Sequence, residues 1–295
     1  MPIFYTSEGN KISYQVFGQG KPLLLVHGLG ASQGFWSRVA LRLLNYDYKF
    51  ITYDLRGHGS SQVVPKGYTL ESQASDLSAL IDHLAIDDFY AVAHSFGGKI
   101  LTEYALRFHQ RIRKAVLLDT FFEELQQRPT VEDSVRHYQY VSSRFPLENR
   151  LTAELLDKIL LLPVTDYRIG MLYMKLANKP CNVNATDREL SERLRLAKNE
   201  HDIITILSSI DKLKDTTASK DILSNISLDR LGLIETDLSS KFSMAYGEFS
   251  IFAESGILLQ SVLKGSRLET IDAGGHFFPW FLPEPTTAML LELLN

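Results

Sequence analysis

Ala93-His94-Ser95-Phe96-Gly97-Gly98 decides the fold of this chain, because it sets a serine between a short apolar run, Phe89 to Ala93, and a helical pattern over about Gly98 to Phe108. A chain that passes from strand to helix within so few residues turns sharply at the serine, strains its backbone and lifts Oγ clear of the sheet. Strand and helix can approach only where the neighbouring residues are small. Gly97 and Gly98 meet that need, and Ala93 adds one methyl where glycine would be commoner. Ser95 is therefore a candidate nucleophile. A small residue two before a serine and a glycine two after it is by itself a weak pattern, so its weight comes from the flanking elements and from partners elsewhere in the chain.

Those partners occur in a definite order. Leu23 to Val26 reads as a strand buried on both faces and ends in His27-Gly28-Leu29-Gly30. Near the C-terminus another strand-like run, Leu268 to Ile271, opens into Asp272-Ala273-Gly274-Gly275-His276, whose two glycines leave the backbone free to aim the imidazole. Serine, then a strand-end carboxylate, then histidine is one of several possible orders for such a set. On these motifs the chain resembles the α/β-hydrolase-fold superfamily, as a serine-nucleophile, esterase- or lipase-like member. The likeness covers roughly residues 10 to 119 and 240 to 295. It includes Asp54-Leu55-Arg56-Gly57-His58-Gly59-Ser60-Ser61, which is similar to the family's structural loop after the fourth strand.

The pattern along the chain agrees. Strand-like runs at Lys11 to Phe17, Leu23 to His27, Phe50 to Asp54, Phe89 to Ala93 and Lys114 to Leu118 alternate with helical patterns at about Phe35 to Leu44, Glu71 to Leu84 and Gly98 to Phe108. Such alternation predicts an α/β fold with a mostly parallel, doubly wound sheet. After Asp119 it stops. From Phe121 to about Leu238 the sequence is helical and charge-rich, with N-cap patterns at Thr130 and Thr186, and it reads as a helical cap inserted over the carboxyl ends of the strands. The sheet resumes at Phe242 to Tyr246 and Leu268 to Ile271, and a last helix begins near Pro285. Residues 1–120 and 239–295 thus form the predicted core and 121–238 the predicted cap.

Composition narrows the partners. A length of 295 residues, 45% hydrophobic and 22% charged, suffices for one large domain with an insertion. A formal net charge of -4 gives no reason to expect nucleic acid or an anionic membrane as a partner, and no apolar run approaches the roughly 18 residues of a membrane span. Cys181 is the single cysteine, so neither an internal disulfide nor a cysteine-bound zinc is expected. No histidine pair has metal-ligand spacing, Gly28, Gly30 and Gly34 have the wrong spacing for a dinucleotide, and no cofactor or metal is implied. The N-terminus lacks a basic region followed by a long apolar one, and cytoplasmic residence is the expectation.

A catalytic histidine that becomes imidazolium needs a carboxylate to fix its tautomer and stabilise its charge. In the family a strand-end Gly-Glu-x-Asp often follows the seventh strand, whereas this chain has Gly247-Glu248-Phe249-Ser250. Asp119, which ends the strand Lys114 to Leu118 on the same sheet edge, is the expected acid, and Glu248 is the alternative; some members of the family take their acid from the Asp119 position. Resemblance also assigns the two oxyanion donors to the backbone N–H groups of Leu29 and Phe96. His27 and His58 lie in glycine-rich turns and are read as structural, while His94 is either an elbow filler or part of the pocket. Trp36, beside the oxyanion loop, and Phe277 and Trp280, directly after His276, are the expected substrate-binding residues and favour an apolar ligand. The reading is a serine hydrolase acting on a small or medium apolar ester, thioester or related acyl compound through an acyl-enzyme. A cofactor-free oxygenase of the same fold acting on an aromatic substrate, and a ligand-binding or signalling protein with a retained triad, are the alternatives.

Overall fold

The computed structural model describes residues 2–122, 125, 238, 240–248 and 250–295. Eight strands form one sheet: β1 (Ile3–Tyr5), β2 (Lys11–Gly18), β3 (Lys21–Val26), β4 (Tyr48–Tyr53), β5 (Phe89–His94), β6 (Ile112–Leu118), β7 (Phe242–Gly247) and β8 (Leu268–Ile271). Their order is β1-β2-β4-β3-β5-β6-β7-β8. The pairs β1/β2 and β2/β4 are antiparallel, and every pair from β4/β3 to β7/β8 is parallel. Around it stand α1 (Ser37–Leu43), entered through a 3-10 turn at Gln33–Trp36, then α2 (Leu70–His83), α3 (Phe96–Phe108), α4 (Ala253–Val262), the single turn α5 (Phe278–Phe281) and α6 (Pro283–Leu294).

The alternation of side chains explains why the central strands read as unbroken apolar runs. In β3, Leu24 and Val26 enter the cluster shared with α2, α3 and α4, whereas Leu23 and Leu25 enter the one shared with α1 and α6. In β6, Ala115 and Leu117 face the first layer and Val116 and Leu118 the second. Helices on both faces make every position of such a strand interior. Truncating one of these leucines to alanine costs about 2–5 kcal/mol.

Three elements, β1, α4 and the single turn α5, escape the sequence pattern. β1 is only three residues long, and only Phe4 of it is buried. α4 buries Ser255, Gly256 and Leu259 and exposes Ile257, so no apolar stripe marks its inner face. A Cβ at Gly256 would lie 2.5 Å from the Tyr246 ring, which is why a small residue stands there. α3 begins two residues earlier than the glycine pair suggests, at Phe96. The cap expected over 121–238 falls outside the described residues except for Phe121, Phe122, Leu125 and Leu238, as do Thr130 and Thr186. No helix among the described residues is long and apolar enough to cross a membrane.

Candidate active site

Strand order reverses between β3 and β5: the chain steps outward from β3 to β4, then returns to place β5 on the other side of β3. Open α/β sheets bind ligands in the crevice at the carboxyl ends of the strands where the order reverses. Val26 pairs with Ala93 there, so His27-Gly28-Leu29 and His94-Ser95-Phe96 leave the sheet side by side.

Ser95 has φ 53° and ψ -122°, a conformation that costs a residue with a Cβ about 1–3 kcal/mol. Backbone bonds enforce it: Ser95 N donates to Leu118 O at 2.9 Å and Gly98 N to Ser95 O at 2.9 Å. The glycines answer to close approach. A Cβ at Gly97 would lie 2.5 Å from His27 O and 2.7 Å from Val26 O, and one at Gly98 would run into the Thr120 side chain. A Cβ at Gly28 would lie 3.0 Å from Ser95 Cβ, so the turn carrying Leu29 rests against the serine. Among the described residues no backbone carbonyl accepts from the N–H of Leu29 or Phe96. Phe96 opens α3, where unpaired amides and the helix dipole favour negative charge.

His276 is buried, and its Nδ1 lies 3.0 Å from Asp119 Oδ1. With Nδ1–H donating to the carboxylate, Nε2 is the basic nitrogen. Asp119 is wholly buried, takes φ 50°, and donates its own N–H to Ala245 O at 2.8 Å. Its carboxylate accepts from two further groups, Gly247 N–H on Oδ2 at 3.0 Å and the Ser250 hydroxyl on Oδ1. Glu248 instead lies exposed and accepts from Ala273 N at 2.9 Å, bracing the histidine loop from outside. No hydrogen bond joins Ser95 to His276 among the described residues. Such contacts are often long before substrate binds.

His94 bridges the two. Its Nε2 lies 2.7 Å from His276 O, and burial, followed by the neighbouring His276, holds it well below the ordinary histidine range. The neutral ring therefore donates Nε2–H to that carbonyl, and the buried Nδ1 has no hydrogen-bond partner among the described residues. Aromatic rings line both sides of this pair. Phe35 stacks on His94 at 4.8 Å, Phe277 lies 4.8 Å from His276, and Phe252 meets His276 edge-on at 5.0 Å. Trp280 is half-buried, with Phe35 stacked at 6.4 Å and the Arg38 guanidinium over its ring at 4.5 Å.

One expected pocket residue is misplaced. Trp36 is wholly buried and packs with Leu25, Val39 and Leu43 in the core layer under α1. A 3-10 turn rotates successive side chains by about 120°, so Phe35 points to the site and Trp36 away from it. The loop histidines act on backbone. His27 donates Nδ1–H to Gly28 O at 2.8 Å and accepts Leu55 N–H on Nε2 at 3.1 Å, and His58 does the same between Arg56 O and Gly30 N. Asp54 accepts from Gln33 N, Gln33 Nε2 and Ser60 N at 2.7, 3.0 and 2.8 Å. The loop after β4 thus anchors the loop carrying Leu29. Ser250 is the residue that motif reasoning passes over, although its place in Gly247-Glu248-Phe249-Ser250, where an aspartate is expected, is itself the signal.

This sheet order is that of the α/β-hydrolase fold, which the chain therefore has, with a strained serine after β5, an aspartate after β6 and a histidine after β8. Residues 21–155 match the family model for the alpha/beta hydrolase fold. Over 119 residues the chain is 36% identical to a non-heme haloperoxidase of Rhodococcus erythropolis and, over 119 residues, 39% identical to non-heme chloroperoxidase CPO-A1 of Kitasatospora aureofaciens. Each alignment takes in 40% of this chain and 43% of the relative, so the chain spans less than half the length of the curated relatives it matches. A thermophilic esterase from Thermogutta terrifontis superposes with a TM-score of 0.63 at 23% identity, over 99% of this chain and 97% of that one. A bromoperoxidase from Bacillus anthracis superposes with a TM-score of 0.65 at 20% identity, over 97% and 95%. At those identities the likeness is one of fold.

Proposed function

We propose that the protein is a serine hydrolase that cleaves a small or medium apolar ester, thioester or related acyl compound through an acyl-enzyme. The observation that carries this reading is the buried His276–Asp119 pair set beside a serine in a strained conformation at the start of α3. Ser95 Oγ attacks the acyl carbon while His276 Nε2 takes its proton, and Asp119 keeps the other ring proton in place and offsets the imidazolium charge. The carbonyl oxygen, now negative, accepts from the N–H groups of Leu29 and Phe96; each such donor contributes about 3 kcal/mol to the transition state. As the tetrahedral intermediate collapses, Nε2–H protonates the leaving oxygen or sulfur, and Ser95 holds the acyl group as an ester. Water, deprotonated by the same imidazole, releases the acid. Phe35, Phe277 and Trp280 supply an apolar wall for the acyl chain.

The test is labelling with a fluorophosphonate, which traps an activated serine, followed by a series of esters of rising acyl length. The wild type is expected to label and turn over, and Ser95→Ala to do neither while staying folded. Labelling of the alanine variant would move the nucleophile elsewhere. An acid on β6 also suits a cofactor-free oxygenase, which would consume oxygen with an acidic aromatic substrate; oxygen uptake without ester turnover would favour that reading. Tight binding of an ester without turnover would favour a receptor.

A further inference from the structure

We propose that Ser250 is a positioning residue, acting on His276 through Asp119. The proposal rests on the hydrolase reading above, but its geometry does not. A carboxylate at the end of a strand rotates easily about its last bond, since that torsion is broad and nearly two-fold. Here both oxygens are pinned by β7 and the turn that follows it. Gly247 N–H holds Oδ2 at 3.0 Å, and the Ser250 hydroxyl holds Oδ1, the oxygen that also accepts from His276 Nδ1. Gly247 has no room for a side chain, because a Cβ would strike the carbonyl of Gly274 in the histidine loop. Acid, clamp and base therefore share one closely packed corner.

The hydroxyl is itself oriented. Phe252 N–H donates to Ser250 Oγ at 3.1 Å, which occupies a lone pair on the oxygen and leaves the hydroxyl proton for Asp119. The Phe252 ring also packs at nearly a right angle to His276, with ring centres 5.0 Å apart. One turn thus fixes the acid through Ser250 and the imidazole through Phe252. Ser250 is buried, so water cannot replace a lost hydroxyl without opening the corner. Without it, among the described residues, Oδ1 keeps only the His276 Nδ1–H bond and Oδ2 only that of Gly247 N–H.

A structural role would consist only of receiving Phe252 N–H at the start of α4. The two roles separate in the imidazole Nδ1–H proton resonance of the free protein, which reports the His276–Asp119 bond without any substrate. Ser250→Ala and the nearly isosteric, weakly donating Ser250→Cys are expected to broaden or shift that resonance. Both are expected to lower kcat about tenfold, in keeping with the loss of one charge-assisted hydrogen bond, and to leave KM within about twofold. Ser250→Thr, which keeps the hydroxyl, restores resonance and rate. Should the alanine variant fail to fold, the cysteine variant carries the measurement. An unmoved resonance in Ser250→Ala or Ser250→Cys, with kcat unchanged or falling only in step with Tm, overturns the proposal. If the wild type transfers no acyl group, the hydrolase reading fails, and the resonance alone decides the role of Ser250.

Discussion

Replacing Asp119 with asparagine removes one charge and one acceptor from a carboxylate that, among the described residues, receives three donors: His276 Nδ1–H, Ser250 Oγ–H and Gly247 N–H. The asparagine amide has one oxygen to share among them and an NH2 that faces whatever the oxygen does not. With its oxygen toward His276 and Ser250, a single N–H, that of Gly247, is left opposite the NH2. Flipped, the NH2 confronts both His276 and Ser250. One unmet buried donor costs about 1–3 kcal/mol, so the first arrangement prevails and the productive tautomer of His276 survives. The loss is then mainly that of the charge opposite the imidazolium. Where the wrong tautomer is enforced, such a replacement costs about ten-thousandfold in kcat. Here a fall of about a thousandfold is expected, or about 4 kcal/mol. The assay is initial-rate hydrolysis of an activated ester at pH 8, with circular dichroism to confirm folding. Glu248→Gln, which among the described residues touches only the Ala273 N–H contact, is expected to cost less than about tenfold, as befits a surface hydrogen bond. A crippled Glu248→Gln beside a nearly normal Asp119→Asn would refute the reasoning.

Ser95→Gly is expected to abolish turnover yet raise stability by about 1–2 kcal/mol, since glycine takes φ 53° and ψ -122° without the strain a Cβ brings; an unchanged Tm would show that the serine is not strained. Burial, and after it His58, lowers His27 to about 3 in the folded state, against 6.5 for an ordinary histidine. The unfolded chain therefore binds a proton that the folded one refuses, and stability, full above pH 6.5, declines toward pH 3 by up to about 1.4 kcal/mol per pH unit. Urea unfolding at pH 7.5, 5.5 and 4.5 measures this slope, and Ala at position 27 is expected to make it shallower; an equal slope in His27→Ala would exclude this source. Trp280→Ala is expected to lower kcat/KM for long acyl esters by about tenfold and for acetyl esters by less than about threefold, because each buried methylene contributes about 0.8 kcal/mol. A uniform loss across the ester series would instead mark the ring as packing for Phe35 and Arg38.

Much of the fold can be read from the sequence because the parallel strands are interior on both faces and announce themselves as short apolar runs between glycine-rich turns. β1 and α4 are hidden for opposite reasons, the one too short to show a period and the other packed through Ser255 and Gly256 rather than through large side chains. Ser95 and His276 stand out by the small residues around them, whose close approaches the structure makes explicit at Gly28, Gly97 and Gly98. The partner of His276 does not stand out, since two carboxylates end neighbouring strands and only three-dimensional placement separates Asp119 at 3.0 Å from Glu248 on the surface. Trp36 misleads because adjacency along a chain says little about direction where the backbone coils tightly.

Asp119 and His276 are separated by 157 positions along the chain. Among the described residues, each bond to Asp119, with Ala245 O, Gly247 N–H, the Ser250 hydroxyl and the His276 imidazole, joins it to the part of the chain beyond residue 238. A chain emerging from the ribosome thus carries Ser95 and Asp119 long before it carries His276. Contacts so distant in sequence form late in folding. On the proposed reading Ser95 therefore lacks its base throughout synthesis, and the docking of β7 and β8 onto β6 is at once a folding step and the event that would complete the site.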